Sequence, residues 1–103
     1  LIDNSKNLGN IFHQRLNRIK KKYHNHLRYV HGKGLLAALI FMDDNDKPLS
    51  NLCDKICEKA FQKGLLLVHT GRESIKLAPP LSITEDAMLE GLIVIEQCIK
   101  ESI

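Results

Sequence analysis

The chain has 103 residues, of which 44% are hydrophobic and 26% are charged, and its formal net charge is +3. This length suits one small domain with one hydrophobic core, and the composition argues against a disordered or fibrous protein. The longest apolar run, 35–42, is far too short to span a bilayer, and no signal-peptide pattern opens the chain. Because the first methionine is Met42, we expect residues 1–103 to be a single domain taken from a longer protein.

The first part of the chain is predicted to form a helix and then two strands. Between residues 3 and 23 apolar residues recur at steps of three and four, which is typical of a helix buried along one side. Residues 27–30 are predicted to form a short strand, and residues 35–42 a second, nearly all apolar one. Gly32 and Gly34 separate these strands, where a hairpin or bulged bend requires positive φ. The apolar stripe of the helix comprises Leu8, Ile11, Phe12, Leu16, Ile19 and Tyr23.

A second helix is predicted over residues 49–63, and Gly64 stands where a C-terminal cap belongs. A strand at 65–68, a turn at 69–74 and a strand at 75–78 follow, and Pro79 and Pro80 end the last of these because proline cannot extend a ladder. The side chains expected on the inner side of the helix are Leu49, Leu52, Cys53, Ile56, Ala60 and Phe61.

Thr84 is predicted to cap a last helix, because its side chain can accept a hydrogen bond from the first turn. Gly91 lies inside this helix at a cost of about 1 kcal/mol relative to alanine, which indicates close packing by another element. The inward stripe of this helix comprises Met88, Leu92, Ile95 and Ile99.

The predicted order is therefore helix, strand, strand, helix, strand, strand, helix. Two pairs of adjacent strands with helices between and around them predict the α+β class. We expect a two-layer small domain, in which a three- to four-stranded, mostly antiparallel sheet is covered by helices on one face.

The residues capable of chemistry form no self-contained catalytic site. The chain has three cysteines, Cys53, Cys57 and Cys98, and this odd number predicts reduced, buried thiols in a cytoplasmic protein. No close ligand pair of the Cys-x2-Cys kind is present, so we expect no metal site. The glycines at 32 and 34 lack the spacing of a phosphate-binding loop.

A basic cluster between residues 15 and 28 is the one feature that points to nucleic acid. Because few aromatic residues interleave with these cations, the preferred interpretation is a solvated helix face. The cluster comprises Arg15, Arg18, Lys20, Lys21, Lys22 and Arg28, with His24 and His26 beside them.

Four segments carry a resemblance to a known family. Residues 73–85 (Glu-Ser-Ile-Lys-Leu-Ala-Pro-Pro-Leu-Ser-Ile-Thr-Glu) resemble the Arg-x-x-Pro-Pro-Leu-x-Ile-Thr/Ser-Glu stretch of class III pyridoxal-phosphate-dependent aminotransferases. Residues 29–36 are similar to the family's Val-Arg-Gly-x-Gly-Leu-Met signature, and 60–67 to its helix ending in Lys-Gly-Leu-Leu. The opening helix, with Asn-Leu-Gly at 7–9, matches in kind. The family includes the ornithine, acetylornithine and 4-aminobutyrate aminotransferases.

The resemblance implies that this chain is the C-terminal small domain of a fold-type I enzyme. Such enzymes are usually homodimers that move an amino group from an amine or amino acid to an oxo acid. Pyridoxal 5'-phosphate is then held as a Schiff base by a lysine of the large domain, outside this chain. The implied partners are that large domain, a second subunit and the two small-molecule substrates, with no nucleic acid and no membrane. The small domain would help to form the substrate side of the active site and would be inactive alone.

Three positions depart from the family pattern. The arginine that usually grips a substrate carboxylate is Lys76 here, which offers a point charge instead of a planar fork. Arg72, four residues earlier, could supply the guanidinium instead, or the substrate could lack a carboxylate at this point, and Lys76 could equally be an exposed strand lysine. The signature's arginine is His31, and the glutamate often found in the next strand is Ile40, which indicates a drier environment.

Two alternatives stay open. A related pyridoxal-phosphate enzyme, such as an aminomutase, racemase or decarboxylase, would carry the same small domain. A free-standing basic α+β module that binds nucleic acid would use the cluster at 15–28.

Overall fold

The computed structural model describes the backbone of residues 2–103 and the side chains of residues 6–103. These residues form three helices and four strands in the predicted order. The elements are α1 (Ile2–Lys22), β1 (Leu27–Lys33), β2 (Leu36–Phe41), α2 (Ser50–Gln62), β3 (Val68–Thr70), β4 (Ser74–Leu77) and α3 (Glu85–Ser102).

The four strands form one sheet in the order β1-β2-β4-β3, and every neighbouring pair is antiparallel. The last strand to form in chain order, β4, therefore lies inside the sheet, between β2 and β3. Backbone hydrogen bonds hold it on both sides, whereas β1 and β3 are edge strands. This arrangement confirms the predicted α+β class and the antiparallel sheet.

The core lies between the helices and one face of this sheet, which we call the inner face. Successive side chains of a strand point to opposite faces, and β2 follows this rule with Ala37, Leu39 and Phe41 buried. On β4 the buried side chains are Ile75 and Leu77. The helices contribute the predicted apolar stripes, of which Leu8, Phe12, Leu16, Ile19, Met88, Leu92, Ile95 and Ile99 are buried.

The β1–β2 hairpin depends on its glycines. Gly32 has φ +129° and Gly34 has φ +61°, which confirms the predicted positive φ. A Cβ built on Gly32 would lie 2.1 Å from the carbonyl oxygen of Leu36, so no other residue fits there without moving backbone. Because Lys33 still pairs with Leu36, β1 runs three residues beyond its predicted end.

The prediction of a strand at 65–68 was wrong by three residues, since β3 begins at Val68. The N–H of Leu65 donates to the carbonyl of Ala60 at 2.8 Å, and that of Gly64 to Phe61 at 3.0 Å. These two bonds form a Schellman motif around Gly64, so Leu65 belongs to the end of α2. The β3–β4 register would also place Leu65 opposite Pro79, which has no N–H to donate.

Two side-chain predictions for the helices also need correction. Phe61 was expected on the inner side of α2 but is 70% exposed, because Ala60 takes the inward position and each helical residue turns about 100° from the last. Gly91 was expected in a close contact, yet a Cβ there would meet nothing within 4 Å. Thr84 does cap α3, accepting a hydrogen bond from the N–H of Ala87 at 3.2 Å.

Candidate functional site

The face of the sheet that points away from the helices, which we call the outer face, carries the candidate residue Lys76. It is formed by the strand residues that alternate with the buried ones. Its members are Tyr29, His31 and Lys33 on β1, Leu36, Ala38 and Ile40 on β2, Ser74 and Lys76 on β4, and Val68 and Thr70 on β3.

Lys76 occupies the middle of one cross-strand row on this face. Lys76 pairs with Ala38 on one side and Val68 on the other, and Ala38 pairs in turn with His31. Neighbouring strands lie about 4.8 Å apart, so the backbones of His31 and Lys76 are about 10 Å apart with a single methyl group between them. The row places a cation and an imidazole on opposite sides of a small gap.

The imidazole of His31 is ordered by a neighbour on its own strand. The rings of Tyr29 and His31 stack with centroids 5.6 Å apart and an angle of 28° between their planes. Both side chains are exposed and lie two residues apart on the same face of the strand. Because Tyr29 lies against one side of the imidazole ring, the other side of the ring is the one open to a ligand.

The outer face is electropositive and partly apolar. None of the four described strands contains Asp or Glu, while Lys33 and Lys76 bring positive charge. Leu36 is 53% exposed and Val68 is 52% exposed. An apolar surface with a few polar groups is typical of ligand sites and of contacts with another domain.

Arg72 lies in the turn between β3 and β4 and is exposed, whereas Lys76 lies within β4. The two candidate residues are thus on one hairpin, but no contact between them is described. Lys76 has no ion-pair partner among residues 6–103. Their roles in substrate binding stay predictions.

Sequence reasoning missed a pair of side-chain contacts that anchors the Arg72 turn. The Nδ1 atom of His69 on β3 lies 2.7 Å from a carboxylate oxygen of Asp54 on α2, and its Nε2 atom lies 3.4 Å from the carbonyl oxygen of Arg72. His69 and Asp54 are fifteen residues apart in the sequence, and no sequence motif predicts that they meet.

The basic cluster of the sequence is divided by the fold. Lys22 pairs with Glu96 at 3.0 Å, and Arg28 lies 3.5 Å from a carboxylate oxygen of Asp46. Arg18 and Lys21 instead line an open groove along α1. The cations predicted as one patch therefore face different neighbours.

The described residues do not form a complete site for a cofactor held through a lysine. A Schiff-base lysine needs a position that keeps competing water away, and none of the lysines between residues 6 and 103 is buried. The same stretch contains no cluster of three or more His, Cys, Asp or Glu side chains suited to a metal ion. None of the helices formed by residues 2–103 has the length and apolar character that crossing a bilayer requires.

The cysteines are free, with Cys53 and Cys98 buried and Cys57 half-buried. Burial raises the pKa of all three thiols, that of Cys53 to about 12. Because the thiolate is the reactive form, these groups are poor nucleophiles. Their packing role agrees with the prediction of small buried hydrophobes.

Comparisons with known proteins agree on one family. The family described as aminotransferase class-III matches residues 1–99. Alanine/serine racemase of Pyrococcus horikoshii is 31% identical over 105 residues, covering 100% of this chain and 22% of the racemase. Mitochondrial ornithine aminotransferase of Arabidopsis thaliana is 33% identical over 91 residues, covering 88% of this chain and 19% of that protein.

Solved structures give the same picture. The crystal structure of acetylornithine aminotransferase from Elizabethkingia anophelis superimposes with a TM-score of 0.83 at 36% identity, covering 95% of this chain and 23% of that chain. The chain therefore spans only about a fifth of the length of the curated relatives it matches.

Proposed function

We propose, on the premise that this chain belongs to the class III aminotransferase family, that it is the C-terminal small domain of an enzyme that moves an amino group to an oxo acid. The family match covers residues 1–99, and the ornithine aminotransferase resemblance covers most of the chain but only a fifth of that enzyme. The observation that carries the substrate role is the position of Lys76 at the centre of the exposed outer face.

In this proposal Lys76 binds a carboxylate of the substrate. Its ammonium group is exposed and has no ion-pair partner among the described residues. Its strand, β4, is hydrogen-bonded to β2 and β3 on both sides, so the backbone that carries the Lys76 side chain is held in place. Binding energy directed at a non-reacting carboxylate is what orients the amine for transfer.

The outer face also serves as the contact with the large domain of the same enzyme. Leu36 and Val68 would otherwise leave apolar surface in water. Leu66, which is 77% exposed and lies two residues before Val68, is a further exposed apolar residue next to this face. A large domain seated here would exclude water from the Lys76 row and so strengthen its electrostatic interactions.

Pyridoxal 5'-phosphate is the cofactor of this proposal, and it supplies the electron sink for amino transfer when bound. The family resemblance assigns the Schiff-base lysine to the large domain. The enzyme would be a homodimer in the cytoplasm, where the three free cysteines stay reduced.

Racemisation is the second candidate activity, and the racemase match favours it. The alanine/serine racemase of Pyrococcus horikoshii aligns with 100% of this chain at 31% identity. The small domain alone does not separate the two reactions, since both need an amino acid carboxylate held in place. Incubation of the full-length enzyme with L-alanine and an oxo acid distinguishes them: pyruvate indicates transfer, and D-alanine indicates racemisation.

The experiment that tests the proposal is an absorbance spectrum of the full-length protein that contains this chain, purified without added cofactor. We expect an absorbance band of the pyridoxal phosphate Schiff base at the violet end of the visible range, and this band should shift when an amine donor is added. A protein that stays colourless after pyridoxal phosphate is supplied would contradict the proposal and favour the nucleic-acid-binding alternative.

The role of Lys76 is tested by two variants of that enzyme. Lys76→Ala should lower kcat/KM for the carboxylate substrate about tenfold or more, since a hydrogen bond to a charged group is worth about 1.5–3 kcal/mol. Lys76→Arg should retain or raise kcat/KM, because guanidinium binds a carboxylate through two parallel bonds. Arg72→Ala is the matched control, and a larger loss there than in Lys76→Ala would transfer the role to Arg72.

A further inference from the structure

We infer that His31 is a second carboxylate-binding residue, acting together with Lys76 across Ala38 as a two-point anion site. The inference rests on the proposed function, because it concerns the same face and the same substrate group. It goes beyond the family pattern, in which a single arginine does this work at the position of Lys76.

The chemical reason for a second residue is that lysine alone cannot orient a carboxylate as arginine can. A guanidinium presents two parallel N–H groups to one carboxylate, whereas an ammonium is a point charge that leaves the orientation of the carboxylate free. A second donor on the far side of the carboxylate restores that orientation. An imidazole N–H is such a donor, and it is strongest when the ring is protonated.

The fold places His31 where this second donor is needed. His31, Ala38 and Lys76 occupy consecutive positions in one cross-strand row, so both side chains rise from the same face, about 10 Å apart at the backbone. Only the methyl group of Ala38 stands between the two side chains, so a carboxylate held above Ala38 can accept a hydrogen bond from each of them. Ala38 is essential to this geometry, because any longer side chain would occupy the gap.

Neighbouring groups support the same assignment. Tyr29 stacks on His31 at 5.6 Å, which restrains the ring before a ligand arrives. The charged or titratable groups on the outer face are Tyr29, His31, Lys33 and Lys76, and none of the described strands carries a carboxylate that would compete for the imidazole. The outer face therefore carries positive charge without a carboxylate to match it, which favours an anionic ligand.

The test is a titration of the full-length enzyme that contains this chain with glutarate, an unreactive dicarboxylate, followed by isothermal titration calorimetry. The neutral diamide of glutarate is the control ligand. We expect saturable binding of glutarate alone, a Kd about five- to tenfold higher in His31→Ala, and a comparable rise in Lys76→Ala, as expected for loss of a charge-assisted hydrogen bond. Ala38→Leu should abolish binding with both charges still present.

His24→Ala is the matched control variant, because His24 is also exposed but lies in the turn after α1. Its Kd should equal that of the parent chain. His31→Gln keeps a hydrogen-bond donor without the imidazole ring, so its Kd should lie between those of the parent and of His31→Ala. A purely structural role for His31 would not separate these two variants in this way.

The outcomes separate the two proposals. An unchanged Kd in His31→Ala together with a raised Kd in Lys76→Ala would refute the role of His31 and leave that of Lys76 intact. Unchanged values in both variants, or no binding by the parent chain, would refute the anion site as a whole. Binding of two equivalents of glutarate, of which each single variant abolishes only one, would show two separate sites and would also overturn the inference.

Discussion

Burial changes the acid strength of a core thiol and so makes stability depend on pH. Cys53 has no exposed surface, and removal of its charged form from water raises its pKa from 9.0 to about 12, with smaller contributions from Cys57, Asp54 and Glu73. Above about pH 9 the unfolded chain therefore binds fewer protons than the folded one. The free energy of unfolding should fall as pH rises from 9 towards 12, by at most about 1.4 kcal/mol per pH unit for this group.

Urea unfolding at several pH values between about 8 and 11 measures this slope. Cys53→Ala lowers stability at every pH because it leaves a cavity, but its slope above pH 9 should be shallower by the contribution of the missing thiol. Equal slopes in the two proteins would show that Cys53 ionises normally in the fold.

The β1–β2 hairpin depends on one backbone position more than on any side chain. In Gly32→Ala the new Cβ would meet the Leu36 carbonyl oxygen at 2.1 Å, and φ is +129°, so we expect a loss of several kcal/mol or failure to fold. Gly71→Ala is the matched control, because Gly71 also has positive φ (+63°) but open space around it. Its cost should be about 1 kcal/mol. Thermal unfolding monitored by circular dichroism compares the two, and similar losses would contradict the steric argument.

Sequence periodicity predicted these elements well where a helix or strand buries one side. The stripe through Leu8, Phe12 and Leu16 identified α1 because it repeats over several turns. The prediction of a strand at 65–68 was wrong because its leucines have different roles. Leu65 closes the end of α2, and Leu67 is buried in the core. Leu66 between them is 77% exposed, so an apolar run shows neither which residues are buried nor which element buries them.

The exposed apolar residues of the outer face should make the isolated chain associate. Leu36 and Val68 are each about half exposed on one sheet face, and the free energy gained by burying them acts between copies of the chain when nothing else covers this face. Sedimentation velocity should show concentration-dependent association of the 103-residue chain, which is lost in the Leu36→Lys, Val68→Lys double variant.

Leu81→Lys is the control for that experiment. Leu81 is 72% exposed but follows Pro80, outside the strands, so the substitution should leave association unchanged. A chain that stays monomeric at all concentrations would argue against an apolar docking face.

The candidate site illustrates what a sequence leaves undetermined. The motif around Pro79 and Pro80 identified Lys76 as a substrate-binding candidate, but its neighbours depend on strand order and register. No residue pattern in the sequence predicts that β4 lies between β2 and β3. The fold therefore brings His31 and Lys76 into the same cross-strand row, with Ala38 between them, although 45 residues separate them in the sequence.

The interior position of β4 determines how its amide hydrogens exchange with solvent. Amides of an edge strand are released by local fraying, whereas those of a strand bonded on both sides are released only when larger parts of the fold open. In deuterium oxide, the amides of Ala38 and its partners on β4 should accordingly be among the last to exchange. Lys76 would then stand on the most slowly opening part of the domain, so that loops and edge strands can change in sequence without displacing its charge.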